Sequence, residues 1–153
     1  MKGKRYFITF TDDATHFTTI YLIPTKDKAF KSYKSFEAWA IMQNHCVGIK
    51  VLHSNHRGKH LSEAFDNHLV AAGMAWWLTV HDIPQLNGVV ECLNRMLLEW
   101  IWALRHLAGL PDFLWGEALH HTTWLKNCLA MQTLDNKMPF EALFGSPPDL
   151  SGL

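Results

Sequence analysis

The sequence is short of charge. Only 18% of its residues are Asp, Glu, Lys or Arg, while 48% are apolar. Intrinsic disorder needs the opposite balance, low hydrophobicity with high net charge, so it is excluded. An excess of either sign is lacking too, with Lys+Arg and Asp+Glu at 14 each. A chain that grips nucleic acid by bulk electrostatics is usually basic, and this balance counts against tight DNA binding by the chain as a whole. Ten histidines add positive charge only at acidic pH.

Cysteine is scarce and scattered. Cys46, Cys92 and Cys128 form no CxxC pair and no short-spaced repeat. An odd, dispersed set in a sequence without a signal peptide predicts reduced thiols and an intracellular setting. Long apolar runs are missing. Tyr6–Phe10, after the short basic stretch Met1–Arg5, is far too brief for a signal or a membrane span, and nothing elsewhere approaches the required length. There is no internal repeat and no low-complexity segment. What remains is a chain of about one domain's size with enough apolar residues to bury a core. Residues 1–150 are read as that single domain and residues 151–153 as a tail.

The pattern of elements is mixed. Tyr6–Thr11 and Thr18–Ile23 are β-branched and aromatic, with turn chemistry at Asp12-Asp13-Ala14-Thr15 between them, which predicts a hairpin ended by Pro24. Residues 26–43 place Phe30, Tyr33, Phe36, Ala40 and Ile41 at helical spacing. Ile49–Leu52 predicts a short buried strand and His53–His60 a polar loop. Ser62 reads as an N-cap for a helix that stops at Gly73. Met74–Val80 is a second short strand. Pro84, Asn87 and Gly88 predict a loop over 82–88, before a long helix from about Val89 to Leu107. A further helix runs from an N-cap at Asp112 to about Leu129, and a helical turn spans Phe140–Phe144. Alternation of strands and helices makes the fold class α/β.

Several segments carry a resemblance. Gly3-Lys4-Arg5-Tyr6-Phe7-Ile8-Thr9-Phe10-Thr11-Asp12-Asp13 resembles the hairpin of copia-type retrotransposon integrases. Val51-Leu52-His53-Ser54-Asn55 resembles the strand bearing their second catalytic Asp. Pro84-Gln85-Leu86-Asn87-Gly88-Val89-Val90-Glu91-Cys92-Leu93-Asn94-Arg95 resembles the motif that carries their catalytic Glu. Gly109-Leu110-Pro111 with Trp115-Gly116-Glu117-Ala118, and Pro139–Gly145, look like C-terminal landmarks of that family. Thirty-five residues separate Asn55 from Glu91, the interval the family keeps between its second Asp and its Glu. Asn55 therefore stands where the family has Asp. His56, Arg57, Gly58 and Lys59 stand where it has Asn-Gly-Gly-Glu.

The resemblance implies a ribonuclease H-like fold and, by descent, DNA integration by two-metal polynucleotidyl transfer. It implies two divalent ions about 4 Å apart, Mg²⁺ or Mn²⁺, held by carboxylates. The family's first catalytic Asp lies on a central strand that precedes the hairpin, and the expectation is that this strand is absent here, leaving an edge unpaired and the fold marginal. Asp12 and Asp13 match acidic turn residues that are not catalytic in the family. Glu91 is then a relic of the triad and Asn55 the position of the lost second Asp. No cofactor is expected, and the chain reads as a catalytically inactive remnant. Asn87, Gly88, Asn94 and Arg95 match the family's nucleic-acid-binding motif. Cys92 replaces a basic residue common there. The implied partners are DNA, weakly, and a second copy of the chain; the implied location is nuclear if the family role persists.

Blander readings stand beside these. Glu91 alone is an ordinary helix-surface charge, and Asn55 an ordinary turn residue. His53, His56 and His60 suggest zinc by spacing, but Gly58 argues against the helix that would align the last two. The tryptophans at 76, 77, 100, 102, 115 and 124 could stack on bases, yet at helical spacing such residues are more often core or a partner face. Lys126 and Arg105 read as solvated charges. The alternatives to an integrase remnant are a residual nucleic-acid- or protein-binding module without catalysis, and an open reading frame with no present use.

Overall fold

The computed structural model describes residues 3–43, 48–55, 63–79 and 84–151, and only the backbone of residues 55, 78, 79 and 84–87. The predicted hairpin forms with the expected bounds: β1 is Tyr6–Thr11 and β2 is Thr18–Ile23. The Arg5 N–H donates to the Ile23 carbonyl at one end, and the Asp12 N–H donates to the Phe17 carbonyl at the other. Asp12 earns its place in the turn through its carboxylate, which accepts from the Thr15 N–H at 2.8 Å and the Thr15 hydroxyl at 2.7 Å. This is the Asx-type bonding that favours Asp in turns.

After a single 3₁₀ turn at Lys26–Lys28 comes α1, Ala29–Gln43. Then follow β3 (Val51–Asn55), α2 (Glu63–Ala71), β4 (Ala75–Thr79), α3 (Pro84–Leu107), α4 (Trp115–Cys128) and α5 (Pro139–Phe144). β3 and β4 pair in parallel, from Val51 opposite Ala75 to Asn55 opposite Thr79. Parallel neighbours need a crossover, and α2 belongs to it. Gly73 sits beyond the end of α2 at φ +66°, a left-handed conformation suited to glycine. Among the described residues no helix is long and apolar enough to cross a membrane.

Packing divides the chain into two compact units. The unit of Lys4–Ile8 with Ile23–Asn94 is centred on rings. Phe65 of α2 meets Tyr33 of α1 edge-on at 5.1 Å, Phe30 at 5.2 Å and Trp76 of β4 at 5.5 Å. Tyr33, Phe65 and Leu69 are almost wholly buried. The Tyr33 hydroxyl donates to the Met74 sulfur at 3.3 Å. Burial first, then the Glu37 carboxylate, hold its phenol well above the ordinary range. His68 Nε2 lies 2.7 Å from that same carboxylate and ties α2 to α1.

The unit of Thr9–Leu22 with Arg95–Leu153 is centred on α4. Ala118, Leu119, Thr122, Thr123, Lys126 and Asn127 are all buried. Thr122 and Thr123 return their hydroxyls to the Leu119 carbonyl, at 2.9 and 2.8 Å, so neither is left unsatisfied. Asn127 accepts the Thr18 N–H at 3.0 Å and donates to the Thr18 carbonyl at 2.8 Å. Phe17 packs against Phe140 and Phe144 of α5.

Four expectations need correction. The buried strand expected over Ile49–Leu52 starts later, at Val51, which is exposed, and runs on through His53, Ser54 and Asn55, because those residues pair with Trp77, Leu78 and Thr79; the rest of the expected loop lies outside the described residues. α3 begins at Pro84, not Val89, so Asn87 and Gly88 are helical. Proline suits a first helical turn, where its missing N–H has no partner to lose. Asp112 does not cap α4: it opens a separate 3₁₀ turn and ion-pairs with Arg105. Lys126 and Arg105 are not solvated charges. Lys126 is 7% exposed and donates to the His16 carbonyl and to the Thr18 hydroxyl. Arg105 pairs with Asp112, and its guanidinium lies 5.7 Å from the Trp102 ring centre.

Burial pulls the Lys126 amine down from its ordinary 10.5 to about 8. A lowered folded-state value means the unfolded chain binds the extra proton between about pH 8 and 10.5, so Lys126 adds stability as pH rises through that window. Thermal melts at steps across it should show the unsubstituted chain gaining on Lys126→Met as pH rises. Parallel curves for the two proteins would mean that Lys126 is solvated after all.

Candidate functional site

β3 and the first half of α3 carry Asn55 and Glu91, the two positions singled out by their spacing, and both residues belong to the ring-centred unit. The alternation of a strand sets what surrounds them. Leu52 and Ser54 are partly buried, and Trp76 donates its indole N–H to the Ser54 hydroxyl at 2.9 Å. Val51 and His53 are exposed, and His53 meets the Trp77 ring edge-on at 5.0 Å. Asn55 is the last residue of β3, its backbone paired with Thr79; its side chain lies outside the described residues. Strand ends of this kind carry catalytic side chains in open α/β sheets because they hold a side chain at the rim of the sheet.

Glu91 lies in the second turn of α3 and is exposed, as are its neighbours Val89, Val90 and Cys92. Of the four residues matched to a nucleic-acid-binding motif, Gly88 and Arg95 are exposed and Asn94 is partly covered, while the side chain of Asn87 lies outside the described residues. Arg95 approaches Glu99 at 4.0 Å across one helical turn, a weak exposed pair. His53 is occupied by Trp77, whereas His56 and His60 lie outside the described residues. Among the described residues no three His, Cys, Asp or Glu side chains gather closely enough to hold a metal ion.

A Retrovirus-related Pol polyprotein from transposon TNT 1-94 of Nicotiana tabacum is 34% identical over 127 residues, covering 83% of this chain and 10% of the relative. This chain is homologous to a segment of copia-type retrotransposon Pol polyproteins. A second member of that family, from transposon RE2 of Arabidopsis thaliana, is 26% identical over 150 residues, covering 97% of this chain and 10% of the relative. The chain thus spans about a tenth of the length of these polyproteins. No protein-family model matches it. A solved structure of the simian T-cell lymphotropic virus intasome in complex with the PP2A regulatory subunit B56 gamma superposes with a TM-score of 0.68 at 16% identity, covering 96% of this chain and 52% of that one. That likeness gives the fold, which is ribonuclease H-like.

Sequence reading missed that Gly88 is a helical residue. A Cβ built there meets nothing within 4 Å. Glycine in a helix interior costs about 0.5–1 kcal/mol relative to alanine. Gly88→Ala should therefore raise stability by that order, read as a higher urea midpoint at unchanged slope. A drop in midpoint would show that the segment departs from helix where Glu91 is presented.

Proposed function

We propose that this chain descends from a DNA-integrating core and no longer carries out two-metal strand transfer. The observation that carries this reading is Asn55, at the end of β3 and thirty-five residues before Glu91. Mg²⁺ and Mn²⁺ are hard cations that need anionic oxygen, and a pair of them must be balanced by several carboxylates. Position 55 offers a neutral amide instead. The donor chemistry at Asn55 and Glu91 does not fit a pair of dications, so no catalytic step is assigned to them. DNA as a partner and a nuclear location follow from the family and belong to the same proposal.

Strand-transfer and nicking assays on a labelled duplex, with Mg²⁺ and with Mn²⁺, are expected to give no product above background. Metal-dependent product that disappears in Glu91→Gln would overturn the loss of catalysis.

A second reading, a binding module that associates with itself, is favoured by the outward side of α3 and the turn after it. Leu98, Trp102, Leu107 and Phe113 are 43%, 69%, 84% and 66% exposed. Large exposed apolar area usually marks a contact face or an aggregation liability. Size-exclusion chromatography with light scattering over a concentration series should show dimers or larger species, shifted toward monomer by Trp102→Glu. A sharp monomer peak near the sequence mass of 17.6 kDa at every concentration would sink this reading.

A further inference from the structure

The chain is neutral overall but its charge is unevenly placed. Residues 1–34 hold seven Lys and Arg against three Asp, and two of those three, Asp12 and Asp13, sit in the hairpin turn. Within the ring-centred unit this leaves Lys4 and Arg5 beside the hairpin and Lys26, Lys28, Lys31 and Lys34, the last four all exposed, with Asp27. Lys28, Lys31 and Lys34 line one open groove of about 650 Å³ together with Asp27, Phe30, Ser35 and Ala38. Two nearby carboxylates could neutralise the stripe. Asp27 reaches only Lys28, at 3.0 Å, and Glu37 is taken by His68. Among the described residues no carboxylate comes within ion-pair distance of Lys31 or Lys34. Lys34 is held 4.7 Å from the Phe30 ring centre, and Lys26 lies 5.5 Å from that of the exposed Tyr6.

We propose that this lysine stripe is a contact surface for the phosphate backbone of a nucleic acid, separate from the motif around Glu91. An enclosed pocket would suit a small molecule, whereas this groove is open, and although much of its lining is apolar, three lysines line it against one carboxylate. From Lys28 to Lys34 is about 9 Å of helix axis. A duplex presents about five phosphate charges over that length. Lysines bind phosphate as point charges without reading sequence, and rings at the edge of a cationic groove are the usual companion to backbone tracking. The choice of a nucleic acid as the polyanion rests on the integrase descent proposed above.

The test is fluorescence anisotropy of the full chain with a labelled mixed-sequence DNA duplex, and in parallel with duplex RNA and heparin, over about 50 to 200 mM salt. Binding is expected to weaken with salt at a logarithmic slope near −0.9 for each lysine engaged. Combining Lys28→Gln, Lys31→Gln and Lys34→Gln should flatten that slope by about 2.7 and weaken binding at least roughly tenfold. Asp27→Asn should tighten it. Circular dichroism of each variant checks that the fold is kept. An unchanged slope in the triple variant, with loss of binding in Arg95→Gln, would overturn the stripe and leave the descent reading standing. Binding of heparin as tight as that of DNA, with the same salt slope, would overturn the assignment to nucleic acid. No binding of any of the three would overturn the stripe and the proposed DNA partner together.

Discussion

The α4-centred unit hangs on the backbone of one residue, Thr18. A lone two-stranded hairpin is marginal in water and needs a further strand or a helix against it. Here α4 gives that cover, and it does so with polar groups as well as apolar ones. The Asn127 amide takes both backbone groups of Thr18, while Lys126 takes the Thr18 hydroxyl and the His16 carbonyl. His16 sits at φ 56°, a left-handed conformation uncommon outside glycine, and its carbonyl is fixed by that contact. Bonds to buried backbone groups are worth most where no water can replace them. They fix the start of β2 against α4 in one register, which a purely apolar contact would leave freer to slide.

The ring-centred unit is held differently. β3 and β4 are only five residues each. Their pairing is supported from one side by Phe65, wedged among Phe30, Tyr33 and Trp76 in edge-to-face contacts. Such contacts add to area burial because the positive edge of one ring meets the negative face of another. On the other side Val51, His53 and Trp77 stay exposed. A parallel pair usually has both faces covered. This one has a single well-packed face, which makes the rim that carries Asn55 dependent on α1 and α2 for its position.

Legibility in the sequence followed the strength of local signals. The hairpin was readable to the residue because β-branched strands, Asp12 and Pro24 all mark its limits. β3 was started two residues early, at Ile49, and ended three residues short, because His53-Ser54-Asn55 is polar and only pairing with β4 makes it strand. α3 was started late because Pro84, Asn87 and Gly88 are turn residues in isolation, though proline in a first turn is also a helix-start signal. Lys126 and Asn127 could not be seen at all. A lysine and an asparagine near a helix end look solvated until a hairpin more than a hundred residues earlier supplies their partners. For the site, the thirty-five-residue spacing is what pairs Asn55 with Glu91 in the proposed reading, whereas charge placement along α1 needed the groove to become visible.

Under the proposed loss of catalysis, the same contacts explain how a fold could outlast its chemistry. Among the described residues, the bonds that hold either unit together run through Thr18, Asn127, Lys126, His68 and Glu37 and through the packed rings. Sites that gather carboxylates around metal bring like charges together, and those charges repel whenever the metal is away. Replacing one carboxylate by its isosteric amide removes part of that repulsion at nearly constant volume. Such a change is neutral or favourable for folding and severe for two-metal chemistry, in line with the general opposition between stability and active-site function. On the reading proposed above, a single Asp-to-Asn difference at the end of β3 is the kind of change that would leave an integrase-like fold standing without its reaction.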